Sequence, residues 1–314
     1  MEKRIYGVLG VSTIMSNWNA DFSGYPKSTS DGEVFGSDKA LKYPIKKMWE
    51  NNGEKVVYIK SMRLSEDKKK DITSLVPRSL KERYEQLFDI ANLKDCKDTS
   101  EVLKNLFSAI DVKNFGATFA EEGNNISITG AVQIGQGFNK YEGISVEEQQ
   151  ILSPFRDGSK DAVKDEEAKN STLGTKIVSK EAHYVYPFVI NPSAYNGFVK
   201  LGVTEGYTED DYMKFKEASK SAVTAYATNA KVGCENELAI YIETEKDLYL
   251  PNLSEYVTFR KAEKNVISLQ FDKLLNEVKD QILSVEIYYN PYTTVVEQEI
   301  NGAKLYNIFT NKEV

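Results

Sequence analysis

Lys39, Lys42 and Lys46 stand at i, i+3 and i+7 in SDKALKYPIKKMWENNG (Ser37–Gly53), the spacing that places residues on one helical face. Three ammonium groups in such a row can track a phosphate backbone, and the positive end of the helix adds to them. The preceding segment, NWNADFSGYPKSTSDGEVFG (17–36), is rich in Asn, Asp, Gly, Pro and Ser. Its backbone N–H groups and side-chain amides suit phosphate, ribose or 2′-OH groups, with Asn17 and Asn19, beside Ser16, as the candidates and Lys27 as a further phosphate contact. Trp18 offers a stacking ring or a core anchor. A plain structural reading stands beside each: Asn amides commonly close turns, and a lysine face opposite Leu41, Ile45 and Met48 is commonly just solvated.

A second polar cluster lies in ITGAVQIGQG (128–137), where Gln133, Gly135 and Gly137 sit at a strand-to-loop transition. The glycines permit close approach of another backbone, or equally a bulge or hairpin bend. No Gly-Lys-Ser/Thr ending follows, so this is not a phosphate loop of the nucleotidase kind. Acid–base and metal chemistry are poorly supplied: His183 is the single histidine, and Cys96 and Cys234 are far apart and read as small buried hydrophobes in a reduced compartment. No cofactor is expected.

The elements that must position these residues follow from pattern. RIYGVLGVSTIM (Arg4–Met15) predicts a buried first strand, and the helix after the loop takes Ser37 as N-cap and Gly53 past its end, with a kink or restart at Pro44. Strands are expected over Glu54–Leu64, VKNFGATFA, NISITGAVQIG, HYVYPFVI and Glu237–Glu245, and in SEYVTFR, NVISLQF and SVEIYYNPYTTVVE. Helices are expected over Ser79–Leu93, Ser100–Ile110 and Thr208–Asn229. This order suits an α+β fold, an antiparallel sheet with helices on one face in a split-βαβ arrangement. Residues 139–182 are polar, charged and long for a connection, and are expected to form an inserted projection on a single domain spanning 1–314.

Composition bounds the partners. The chain of 314 residues is 41% hydrophobic and 28% charged, with a net charge of −7, and has no apolar run long enough to span a membrane. The charge is uneven: residues 1–70 carry 13 Lys+Arg against 9 Asp+Glu, so a basic region sits on an acidic body.

Taken in order, NWNADFSGYP, GSDKALKYPIKKMWENNG, DVKNFGATFA, SITGAVQIGQG, EAHYVYPFVINPSAYNG and KVGCENELAIYIE resemble the CRISPR-associated "Cas seven" family, the repeated backbone subunit of Cascade, closest to type I-B. The match runs from about Arg4 to Glu245. The resemblance implies an RRM-like (ferredoxin-like) core with large loop insertions, described as palm, fingers and thumb. It implies a non-catalytic, cytoplasmic RNA-binding subunit that multimerises along the guide RNA, with target DNA (through the guide), copies of itself and other Cascade subunits as partners and no membrane. The 139–182 projection takes the thumb position, with Ile151, Leu152 and Phe155 as an apolar wedge. The family's Asp-Val-Arg before Phe-Gly adds Lys113 as an RNA contact, a lysine where arginine is usual, and its Gly-Pro-Val-Gln stands here as Gly130-Ala131-Val132-Gln133. The alternative is a metal-dependent ribonuclease using a loop Asp, Asp21 or Asp31, although Ser-Asp-Gly is also a turn signature.

Overall fold

The structure is a computed structural model that describes residues 1–67, 72–152 and 173–314. In chain order the first elements are β1 (Arg4–Ser16), β2 (Phe35–Gly36), α1 (Asp38–Asn51), β3 (Met62–Asp67), β4 (Ile72–Pro77), α2 (Leu80–Phe88), α3 (Thr99–Phe107) and α4 (Ile110–Phe115). Next come β5 (Gly116–Phe119), β6 (Ile126–Thr129), β7 (Val132–Ile134), β8 (Gly137–Asn139), β9 (Val146–Leu152), β10 (Leu173–Ile190), α5 (Asn196–Lys200), α6 (Glu209–Ala225) and β11 (Cys234–Thr244). The chain closes with β12 (Val257–Arg260), β13 (Asn265–Leu269), α7 (Asp272–Glu277), β14 (Ile282–Tyr289), β15 (Thr294–Glu297) and β16 (Lys304–Asn307).

The main sheet runs β16-β14-β11-β1-β10-β8-β2, with β7 and β9 also paired to β10. All its pairings are antiparallel except β14 with β16. β1 is central because its aliphatic run buries both faces. Ile5, Leu9 and Val11 enter a core shared with α1 and α6, whereas Tyr6 and Val8 enter a second core with Leu253, Val257, Ile267, Leu269 and Phe271. The small β12-β13-β15 sheet thus caps the face opposite the helices. The fold is mixed α/β, as expected, but its sheet has no open face at β1.

Both long helices begin where the sequence signals them. Ser37 Oγ accepts from Ala40 N in α1, and Thr208 and Asp211 form a reciprocal capping box on α6. α1 buries Leu41, Pro44, Ile45 and Trp49 and runs as one helix through Pro44, so of the expected kink or restart the restart does not occur; Gly53 follows it at φ +85°. Several boundaries differ from pattern. Residues 54–61 are irregular, because Val57 N and Tyr58 N donate to the buried Asp111 carboxylate (2.9 and 2.7 Å) instead of to a neighbouring strand. Val112–Phe115 is helical, not extended, and the strand begins only at Gly116. α6 stops at Ala225, and Leu253–Tyr256 is a 3-10 turn before β12.

The projection begins as paired strands: β9 and β10 form a hairpin in register from Leu173↔Leu152 to Ser179↔Val146. Residues 153–172, including Phe155, lie outside the described residues. β10 is continuous with the central sheet, pairing with β1 from Ile190 back to Ser179, so one strand carries both hairpin and core.

Gly116 and Gly130 cross closely beside α4. A Cβ on Gly130 would sit 2.2 Å from Phe115 C and 2.4 Å from Gly116 N, main-chain atoms that no rotamer change can clear. Gly130→Ala should therefore cost about 2–3 kcal/mol. Urea unfolding checks this, and an unchanged midpoint would refute the crossing geometry.

Candidate nucleic-acid interface

The loop after β1 is held by its own polar groups. Asn17 is buried: its Nδ2 donates to Gly24 O (2.8 Å) and Ile177 O (3.2 Å), tying the loop to β10, while its Oδ1 is buried without a donor among the described residues. Trp18 is a core anchor, 1% exposed, whose Nε1 donates to Tyr186 Oη (2.5 Å). Asn19 Oδ1 accepts from Ser37 N (2.8 Å), which fixes the loop against the start of α1. Lys27 is half-buried, its ammonium 5.5 Å from the Phe35 ring centre. Lys231, unmarked by any local sequence signal, donates to Asn17 O (2.6 Å) and Trp18 O. Burial pushes its ammonium below the usual lysine range.

The three α1 lysines differ in state. Lys39 is exposed and has no ion pair among the described residues. Lys42 donates to Asp38 (2.9 Å) and lies 5.2 Å from the Phe115 ring centre. Lys46 donates to Tyr58 O (2.7 Å), and desolvation lowers its pKa against the opposing field of Asp111. Asp38 therefore serves Lys42, not its neighbour Lys39. Burial pushes the Asp38 carboxyl up, but the Lys42 ion pair and the other hydrogen bonds outweigh it and hold its pKa below the ordinary value. Its contribution to stability is present above about pH 3.9 and lost as pH falls through the depressed folded value.

The β7–β8 turn completes the cluster. Gly135 N donates to Pro187 O (2.8 Å), and exposed Gln133 donates from Nε2 to Gly130 O (2.8 Å). Gln136, between the two glycines singled out by sequence, reaches Asp38 Oδ1 (3.5 Å). Gly36 and Gly137 are paired across β2 and β8, and a Cβ on either would strike the Tyr186 side chain. Three distant segments thus meet at the N-terminus of α1: Asn19, Lys39 with Lys42, and the 135–137 turn.

Lys113 sits elsewhere. It is buried in α4, with its ammonium donating to Gly206 O (2.8 Å) and Asp211 (3.1 Å). The two loop aspartates form turns: Asp21 Oδ1 accepts from Ser23 N (2.8 Å) and Tyr25 N (3.0 Å), and Asp31 Oδ1 accepts from Thr29 Oγ1 (2.5 Å). Among the described residues no group of three or more His, Cys, Asp or Glu side chains is arranged to hold a metal ion. His183 stacks on Phe259 (3.7 Å between ring centres) between Glu237 (2.7 Å) and Glu181 (3.1 Å). No helix among the described residues is long and apolar enough to cross a membrane.

The model of the CRISPR-associated protein Cas7 family matches residues 3–281. The chain belongs to this family. Among solved structures it is similar to a chain of a "CRISPR RNA-guided surveillance complex, pre-nicking", with a TM-score of 0.51 and 14% identity over 95% of this chain and 96% of that one. A chain of a "CRISPR RNA-guided surveillance complex" aligns at 0.49 and 14%, over 90% and 88%. The first likeness shows a shared fold. No curated protein matches the sequence. Where the Cas7 pattern often has proline, Ala131 N donates to Tyr195 Oη (3.1 Å), which itself donates to Lys113 O (2.8 Å). A proline there would lack that N–H.

The lysines' different burial has a measurable consequence. Lys46→Ala removes a part-buried donor from Tyr58 O and should cost about 1–2 kcal/mol, whereas Lys39→Ala should leave the unfolding midpoint in place. Equal effects in urea melts would contradict this division.

Proposed function

We propose that this chain is the guide-RNA-binding backbone subunit of a type I Cascade surveillance complex, repeated along the guide and presenting it for pairing with target DNA. The observation that carries the reading is the convergence of Asn19, Lys39, Lys42 and the 135–137 turn at one helix N-terminus, in a chain of the Cas7 family. Ammonium groups, turn N–H groups and the helix dipole grip phosphates without reading bases, and the guide supplies sequence by pairing. Lys27 and exposed Gln133 extend the same contact. Asn17 and Gly135 support it from beneath by shaping the backbone, as does Lys46. To Lys113 we give a positioning role, since RNA would have to displace its bond to Asp211.

We read the core as RRM-like. β1, α1, β8, β10, α6 and β11 supply the β-α-β-β-α-β order, with the strands placed β11-β1-β10-β8. The closed face of β1 directs RNA to the loops at the strand ends. The β9–β10 hairpin with 153–172 is our thumb, inserted into a single domain, and exposed Ile151 is its candidate wedge residue. Type I-B is the subtype favoured by the sequence motifs, and the cytoplasm is the compartment. The subunit is non-catalytic in this reading, because Asp21 and Asp31 are occupied in turn hydrogen bonds. Metal-dependent RNA cleavage abolished by Asp31→Ala would reverse that.

Purification of the chain with its operon should yield a particle holding several copies and repeat-flanked spacer RNAs. A bare monomer from such a preparation would sink the proposal. In that setting Lys39→Ala with Lys42→Ala should lower RNA occupancy and reduce the salt slope of binding by about 0.7 per lost phosphate contact. Asp38→Asn, which frees Lys42, should instead tighten RNA binding.

A further inference from the structure

A second basic groove, about 310 Å³ in volume, opens between α1, residues 57–60 and the start of α2. Tyr43, Tyr58, Lys60, Arg78 and Arg83 line it. Its charges are unusually placed. Arg78 Nη1 and Arg83 Nη1 both donate to the hydroxyl of Ser61 (3.1 and 3.5 Å), and their further neutral acceptors include Met62 O for Arg78 and Val56 O for Arg83, so two guanidinium groups meet at one hydroxyl. Glu50 answers only one of them: it accepts from Arg83 Nη2 (2.9 Å) and is also taken by Lys47 (2.8 Å). Among the described residues neither Arg78 nor exposed Lys60 has a carboxylate partner. Like charges held this close repel, and an anion between them relieves the repulsion. Phosphate oxygens match the planar donors of Arg78. Beside them Tyr43 is 36% exposed and meets Tyr226 in an edge-to-face arrangement (5.5 Å), a geometry in which Tyr226 covers at most one of its two faces.

We infer that this groove is a second nucleic-acid site, in which Lys60 and Arg78 hold a phosphodiester of a single strand and Tyr43 stacks on an adjacent base. The inference rests on the proposed RNA-binding function, but it assigns residues distinct from the Lys39–Lys42 cluster. An acidic chain that concentrates unpaired cations beside an aromatic face has a local, not a global, affinity for polyanions. Phosphodiester chemistry is common to RNA and DNA, so the groove takes either a stretch of the guide or a DNA strand.

The test is anisotropy titration of the full chain with fluorescein-labelled oligouridylate and oligothymidylate of equal length, across a salt series. Wild type is compared with Lys60→Glu, Lys60→Ala/Arg78→Ala, Tyr43→Leu and Lys39→Ala/Lys42→Ala. Lys60 makes no hydrogen bond or ion pair within the described residues, so Lys60→Glu probes charge without loosening the fold. The Lys60/Arg78 pair should weaken binding about tenfold near 50 mM salt and lower the salt slope by about 0.7, for the one phosphodiester lost, in at least one arm. Tyr43→Leu should weaken binding with the slope unchanged, because stacking releases no counterions. Loss in the oligothymidylate arm alone assigns the groove to DNA, and loss in the oligouridylate arm alone assigns it to RNA. Unaltered affinity and slope for both Lys60→Glu and the double variant, while Lys39→Ala/Lys42→Ala loses binding, overturns the groove and leaves the proposed function standing. Absence of wild-type binding in both arms overturns both.

Discussion

Burial of β1 on both faces is the constraint that organises this molecule. A strand whose alternate residues enter two separate cores cannot slip by one position without exchanging Ile5, Leu9 and Val11 for Tyr6 and Val8. Its register therefore fixes β10 and β11 beside it, and through them the two helices that cover one face. The same burial leaves no open sheet surface at β1. In the proposed function RNA contacts therefore fall at the ends of the strands, where the loop after Ser16 and the 135–137 turn meet the start of α1.

That meeting point is held by polar bonds that leave some cations unspent. Asn19 closes the loop onto Ser37 N, and Asp38 is shared between Lys42 and Gln136. Lys46 and Lys231 are used inward, each donating to main-chain carbonyls, and burial depresses the pKa of both. Lysines that look alike in sequence thus divide into scaffold and surface. An exposed ammonium can displace the counterions condensed on a polyanion, whereas a part-buried one bonded to main-chain carbonyls is already engaged.

The projection follows from the same economy of connection. β10 is 18 residues long, and one end lies against β1 while the other pairs only with β9. Asn17 bonds Ile177 O and Tyr25 bonds Glu148, so the loop after β1 also braces the hairpin root. Movement of the hairpin would be felt at that loop, which places the two RNA-facing elements of the proposed function under one mechanical control.

The sequence by itself determined the buried first strand, the capped starts of α1 and α6, the glycines around 130–137 and the Cas7 membership, because each depends on local pattern or on motifs in chain order. It also marked Lys39, Lys42 and Lys46 as one helical row. Tertiary structure alone decided which lysines are free, since Lys46, Lys113 and Lys231 are consumed by partners 12 to more than 200 residues away. It decided that residues 54–61 are irregular, because Asp111, far along the chain, takes the N–H groups a strand would have used. It also decided that the sheet is covered on both faces and that Arg78 and Arg83 share one hydroxyl. Local pattern records what a segment can bury. Which polar group it meets is set only when distant segments are brought within hydrogen-bond reach.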